Sequence, residues 1–527
     1  PHVEHLAVAG PSTVSGAAWS LANRWFADCT ASHPGCGPED PSFLPTRLLQ
    51  ISPDPSAPVR LVVMAEENLA SPHLRYASLS HCWGGADVPT LTSRSIAGLK
   101  QPGIPASSLP RTFAEAVAMV RRLGLAYLWI DSLCIVQDSA DDWASEAGIM
   151  GDVYSNSTLN IMATASRDSH GGLARERDPE AALRLVCVET AWLQIQGQTT
   201  RRTYHLAIQD MWRTAVAEAP LNTRGWVLQE RVLSPRALHF GSQQLLWECR
   251  SLSACETFPA GLPELLLDDV DRIKPLDASA NVLKNKEQQL VQARRDAWLS
   301  DTSSLWSNWV DAYSAAKLTR RSDKMVAISG LVKKMRAMRG GDRYLAGLWR
   351  TGLIDQLLWY AITPAPSLKA SQPSTGIPSW SWAAVDTDVI PGLPTSHDGV
   401  RRHIKIIDVS TSPAFEGDDT SALRGGELRV KGNLVPGTMT ANTIHLDGIG
   451  KLDAEVHPDE EGVHRLNVVL LPVMTDYRGA NPEVSALLLQ RADTKPPGYY
   501  RRVGCVTTVS NRQLIGGHDE LIRGHDP

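Results

Sequence analysis

Between residues 76 and 166, short apolar runs alternate with longer stretches of helical spacing. Tyr76–Cys82 (YASLSHC) is short, partly alternating and stopped by Trp83-Gly84-Gly85, which predicts a buried strand ending in a tight turn. Over 110–123, Phe113, Val117, Val120 and Leu123 fall near helical spacing, with Pro110 suited to the first turn and Gly124 to the stop. Tyr127–Val136 (YLWIDSLCIV) predicts a second strand, Asp141–Tyr154 an amphipathic helix and Thr158–Ala163 a third strand. Strands separated by helices in this rhythm predict a parallel, layered α/β sheet with flanking helices. Ligands of such sheets gather at the carboxyl ends of the strands, where this sequence places Ser80–Trp83 and Asp131–Cys134.

Outside that rhythm the pattern changes. Residues 1–70 read as an N-terminal lead-in with Pro- and Gly-rich loops and one apolar run at Arg60–Met64. Residues 167–215 are irregular, and 221–250 form a dense apolar block. The charged segment 260–301 reads as a surface insertion, 305–360 as helical, and 362–379 as a Pro/Ser-rich loop. Short β-like runs (HIKIIDV, ELRVKGNLV, RLNVVLLPVM, VSALLLQ, RRVGCVTTV) fill 400–527. The expected domains are 1–70, an α/β domain over 71–260, a helical region over 261–375 and a β-rich C-terminal lobe over 376–527.

Composition narrows the function classes. At 527 residues the chain exceeds one ordinary core, and 43% hydrophobic with 21% charged residues is globular composition. Fifty-two basic against 57 acidic residues give a net charge of −5, without the concentrated basic surface that nucleic acid needs. No apolar run reaches transmembrane length and no basic-then-apolar leader follows Pro1, so a cytoplasmic protein without a membrane partner is expected. Eight scattered cysteines fit reduced, buried thiols. Cys29, His33 and Cys36 have ligand-type side chains, but no fourth lies nearby in sequence, so no metal site is expected.

Three blocks carry a family resemblance. The first is Tyr76-Ala-Ser-Leu-Ser-His-Cys-Trp-Gly84. The second runs from Leu109 to Ser166, with LWIDSLCIVQD, the D-W-x-x-E-x-x-x-M string from Asp142 and Val153-Tyr154. The third is Thr223-Arg-Gly-Trp-Val-Leu-Gln-Glu230 with Leu233-Ser234, Arg236 and Trp247-Glu248-Cys249. Together they resemble the fungal HET (heterokaryon incompatibility) family, and the strings from Trp309 to Gly330 and at Pro378–Ala383 resemble later parts of large HET proteins. The resemblance implies a role in self/non-self recognition leading to cell death. It also implies a remote likeness to the Toll/interleukin-1 receptor (TIR) fold, a flavodoxin-like sheet. Some members of that fold cleave NAD with a glutamate that follows a tryptophan at a helix start, which makes NAD a candidate substrate rather than a cofactor.

On that basis Glu146, three residues after Trp143, is the leading catalytic candidate, its carboxylate stabilising an oxocarbenium-like ribose. Its structural alternative is an ion pair with Arg121, Arg122 or Arg224. Asp131 is costly to bury in an apolar strand unless paired, so it is either an anchor or a site residue. His81 and Cys82 point to opposite faces and cannot form a dyad, whereas His81 can reach Asp131 or Cys134 on the neighbouring strand. The catalytic candidates are thus Glu146, Asp131 and His81. The substrate-binding candidates are Ser80, Cys82, Trp83, Trp143, Arg224, Trp226, Gln229 and Glu230, with Arg224 suited to a phosphate or to pairing with Asp131 or Glu146. Two other functions stay open: a HET scaffold recruited as a biosynthetic cyclase or hydrolase, and a non-catalytic signalling module. The partners left open are a small-molecule ligand, a second copy, or another protein of the same recognition system.

Overall fold

The structure, a computed structural model, describes residues 10–67, 74–85, 88–179, 186–195, 198–263, 266–267, 273–274, 302–366, 376–393, 395, 399–440, 443–452, 454–461, 466–478, 482–492 and 495–509. The chain divides into two compact units, Pro1–Leu299 and Ser300–Pro527.

In the first unit, α1 (Gly16–Ser32) is capped by the Ser15 side chain, which accepts from the Ala18 amide. Strands β1 (Arg47–Gln50), β2 (Arg60–Val63) and β3 (Ala77–Ser80) follow, then the short α2 (Ile96–Lys100) and α3 (Arg111–Arg122). Next come β4 (Tyr127–Ile130), one turn α4 (Asp131–Cys134), α5 (Ala140–Ser155) and β5 (Leu159–Met162). A hairpin of β6 (Val186–Ile195) and β7 (Gln198–Leu206) lies within the stretch read as irregular. The unit continues with α6 (Gly225–Leu233), β8 (Arg236–Phe240), β9 (Leu245–Cys249) and β10 (Ser253–Cys255).

Eight of these strands form one sheet in the order β10-β9-β8-β5-β3-β4-β1-β2. The four central strands β4, β3, β5 and β8 are parallel, while β1 and β2 on one flank and β9 and β10 on the other run antiparallel. The sheet is therefore mixed rather than wholly parallel. The residues read as a loop-rich lead-in supply α1 and two of its strands, β2 coinciding with the apolar run at Arg60–Met64. Strands β3, β5 and β8 are buried along their whole length, as parallel strands covered on both faces must be. The second expected strand stops at Ile130, and Asp131 opens a helical turn. The segment expected as a surface insertion lies largely outside the described residues.

The second unit opens with α7 (Thr302–Ser314) and α8 (Ser329–Met338). The helical reading fails after Arg339: β11 (Tyr344–Leu345) and β12 (Leu348–Trp349) form a hairpin across Ala346-Gly347. Both turn residues have positive φ, as a two-residue hairpin demands. A Cβ on Gly347 would lie 2.7 Å from the Trp382 indole nitrogen, which donates to the Gly347 carbonyl at 2.8 Å. A single helical turn, α9 (Leu353–Gln356), and the pair β13 (Tyr360–Ala361) and β14 (Val389–Ile390) follow. Trp306 on α7 packs edge-on against Trp309, Tyr344 and Trp349.

The C-terminal part is β-rich, as expected. Strand β15 (Val400–Arg402) precedes a long hairpin of β16 (Lys405–Phe415) and β17 (Asp418–Lys431). Strands β18 (Val435–Thr440), β19 (Thr443–Leu446), β20 (Gly450–Leu452), β21 (Ala454–Pro458), β22 (Leu466–Asp476), β23 (Glu483–Arg491) and β24 (Tyr500–Val509) complete it. They form an antiparallel sheet in the order β20-β19-β18-β22-β23-β24-β21, with β15 added to β22. Met439, Ile444, Leu470, Ala486, Leu488 and Val506 form its core.

Candidate functional site

The carboxyl ends of β3, β4 and β5 gather residues from all three blocks. After β3 the chain turns through Gly84 at φ +69°, where a Cβ would lie 2.2 Å from that of Asp168. Only glycine fits there, and this close approach holds Trp83 and the preceding residues in place. The Trp83 indole donates to Asp131 Oδ2 at 2.8 Å, and the amide of Ser132 donates to Oδ1 at 2.7 Å. Asp131 is one-fifth exposed and begins a helical turn, so its charge is held by an indole, a backbone amide and solvent.

His81 lies beside it, with Nδ1 3.7 Å from Asp131 Oδ1, so the expected reach to the neighbouring strand is realised toward Asp131. The ring is fully buried, stacks on Trp83 and meets the edge of Phe113 at 4.8 Å. Burial pushes the imidazole below its usual pKa, and neither ring nitrogen makes a hydrogen bond among the described residues. Cys82 faces away: its thiol points to the Pro220 carbonyl at 3.8 Å, and burial raises its pKa. Arg224 donates to the His81 carbonyl and is within ion-pair distance of neither Asp131 nor Glu146.

Beneath this rim lies a buried polar layer. Asn160 on β5 donates to the Ser80 hydroxyl at 3.0 Å and to the Glu230 carbonyl at 3.3 Å. The Glu230 carboxyl is hydrogen-bonded by Ser80 and Tyr154, yet burial, with the Asp131 charge adding to it, pushes its pKa up to about 7. Tyr154 in turn is held well above a normal phenol, chiefly by burial. The sequence offers Glu230 only as a binding candidate, and nothing in it singles out Tyr154 or Asn160. A buried glutamate two turns into an apolar helix was the one available signal.

Glu146 is elsewhere. It is buried on α5 with Oε1 3.7 Å from Arg47 Nη1, and its other oxygen has no hydrogen-bond partner among the described residues. Burial raises its carboxyl pKa, opposed by Thr46 and Arg47. Arg47 also forks onto Asp142 and donates to the Cys134 carbonyl at 2.9 Å. The partner is therefore Arg47 on β1, not Arg121, Arg122 or Arg224. The expected pairings do not form because β1 pairs beside β4 and brings Arg47 to this carboxylate instead. Trp143 and Trp226 meet edge-on at 6.3 Å, both half-buried, and Gln229 is buried on α6.

Four ligand-type side chains meet away from this cluster: Cys29, His33, Cys36 and Cys249. The fourth ligand that the sequence did not offer nearby comes from the end of β9.

A mixed sheet with a parallel centre defines an α/β domain, and the polar side chains at its carboxyl ends are its candidate site. Residues 76–230 match the family model of the heterokaryon incompatibility protein (HET), and this part of the chain is a HET-family region. No curated protein and no solved structure matches the chain. Among the described residues, no helix is long and apolar enough to cross a membrane.

Proposed function

We propose that the protein is an effector of fungal self/non-self recognition that works through the strand-end cluster of its HET region. One observation carries the reading: the three blocks, far apart in sequence, supply side chains to a single place. Ser80–Trp83 come from the first, Asp131, Tyr154 and Asn160 from the second, Arg224 and Glu230 from the third. The test is inducible expression in a filamentous fungus. Growth arrest is expected for the unaltered chain and its loss for Asp131→Asn and Arg224→Ala, with Glu218→Gln as the surface control. Arrest that persists in both cluster variants would exclude the site.

A second reading is that the cluster binds NAD and cleaves its nicotinamide bond. The spatial order β4-β3-β5-β8 favours it, because these parallel strands are second, first, third and fourth in the chain. Flavodoxin-like sheets wind their first strands in this order and hold their ligand between the first and third, which here would lie above Ser80 and Asn160. In this reading Asp131, partly exposed and held by the Trp83 indole N–H, is better placed than the sealed Glu146 to stabilise an oxocarbenium-like ribose. Nicotinamide release from NAD, lost in Asp131→Asn and retained in Glu146→Gln, is the expected result. Growth arrest without nicotinamide release leaves signalling without catalysis.

A further inference from the structure

We propose that Cys29, His33, Cys36 and Cys249 bind one structural zinc ion, outside the residues that the HET family model matches. Their ligand atoms all lie within 4.8 Å of one another. Around a tetrahedral zinc, bond lengths of about 2.3 Å to sulfur and about 2.0–2.1 Å to nitrogen place neighbouring ligand atoms roughly 3.6–3.8 Å apart. The Cys249 thiol and His33 Nδ1 are 3.5 Å apart, already at that spacing. Four ligand atoms that meet around one point leave room for a single ion.

The local fold explains how the ligands converge. Cys29 and His33 are one helical turn apart at the end of α1, so they share a face. Pro34, Gly35 and Cys36 form a 3-10 turn, closed by the Cys36 amide on the His33 carbonyl at 3.0 Å, which swings Cys36 back over the helix end. Arg250 donates to the Gly35 carbonyl at 2.7 Å and holds this turn against the end of β9, where Cys249 lies. Trp25 and Trp247 pack together one turn earlier.

The surroundings suit a bound metal ion. Three thiolates and one Zn2+ carry a net charge of −1. Arg236, paired across the sheet with Cys249, aims Nε at the Cys29 sulfur at 3.2 Å and offsets that charge. The Ser251 hydroxyl lies 3.9 Å from the Cys36 sulfur. All three thiols are buried, and four protein ligands leave no open position for substrate. The ion's role is to clasp α1 to β9, joining segments that precede and follow the HET region, so binding and folding are coupled.

The full chain, purified without chelator, should contain one zinc per chain by inductively coupled plasma mass spectrometry. Cys36→Ser and Cys249→Ser should lose it, whereas Cys255→Ser, in neighbouring β10 and outside the cluster, should keep it. If the ligand variants do not fold, the unaltered chain reconstituted with Co2+ decides. Thiolate-to-cobalt charge transfer and intense tetrahedral visible bands are expected, and weak octahedral bands would overturn the proposal. Absence of stoichiometric metal after zinc reconstitution, zinc retained by Cys249→Ser, or a disulfide between two of these cysteines in the protein as purified would each overturn it as well.

Discussion

Glu230 and Arg231 are neighbours in the chain, yet they serve two differently organised regions of the first unit. Arg231 faces β9, where its guanidinium forks onto Glu248 at 2.8 Å through both Nε and Nη2, and His239 Nε2 lies 3.4 Å from the same carboxylate. There the charges outweigh burial, and the Glu248 carboxyl falls far below its usual range. Glu230 faces β3 and α5, where it meets hydroxyl groups and the unfavourable charge of Asp131, with Arg224 only partly compensating. Both carboxyls are fully buried. One belongs to an ion pair within the sheet, the other to the candidate site, where its pKa lies near neutral. Both carboxyls are perturbed, and what differs is the charge of their partners.

The largest effect should come from breaking that ion pair. Arg231→Met leaves Glu248 buried without its main partner and should cost about 3–5 kcal/mol in chemical denaturation at neutral pH. A loss below about 1 kcal/mol would mean that the pair is not a structural bracket. Lowering the pH should reproduce this loss in the unaltered protein, because a depressed folded-state pKa contributes stability above the unfolded value that disappears as pH falls.

Glu230 should show the opposite slope. Its folded-state pKa is raised from 4.5 to about 7, so the folded chain binds the proton more tightly than the unfolded one. Its contribution is fully present below pH 4.5 and is lost as pH rises toward 7, on the order of 3 kcal/mol in total. Glu230→Gln should remove that slope and gain stability relative to the unaltered chain at pH 8. An unchanged pH profile would place the proton on another group.

The smallest effect should lie at the rim. Trp83→Phe removes one hydrogen bond to the partly exposed Asp131 and should cost about 1 kcal/mol, while Asp131→Asn, which keeps one of the two accepting oxygens and turns an NH2 toward the other donor, should cost about 1–2 kcal/mol. Each should nevertheless weaken the growth arrest, separating function from stability. A loss of several kcal/mol in either variant would move the rim into the structural class with Glu248.

Part of this was legible in the chain. The helices α3 and α5 and the strands β3 and β5 appear near their expected positions because apolar spacing is a local signal, as are the Pro110 start and the Gly124 stop of α3. The strand-end location of Ser80–Trp83 and Asp131 followed from the same alternation. Strands β1 and β2, the hairpin at Ala346-Gly347 and the Arg47 partner of Glu146 did not, because their pairing is decided by distant segments.

The sequence alone determined the element rhythm, the three blocks and the match of residues 76–230 to the HET family model, because these depend on residues close together in the chain. Only the tertiary structure decided which charges are satisfied. Arg47 reaches Glu146 across about 100 residues, Arg231 reaches Glu248 across a strand turn, and Cys249 joins Cys29, His33 and Cys36 from the far side of the HET region. Partnering is a property of three-dimensional distance, and the energy of a buried charge depends on its partners rather than on its place in the sequence.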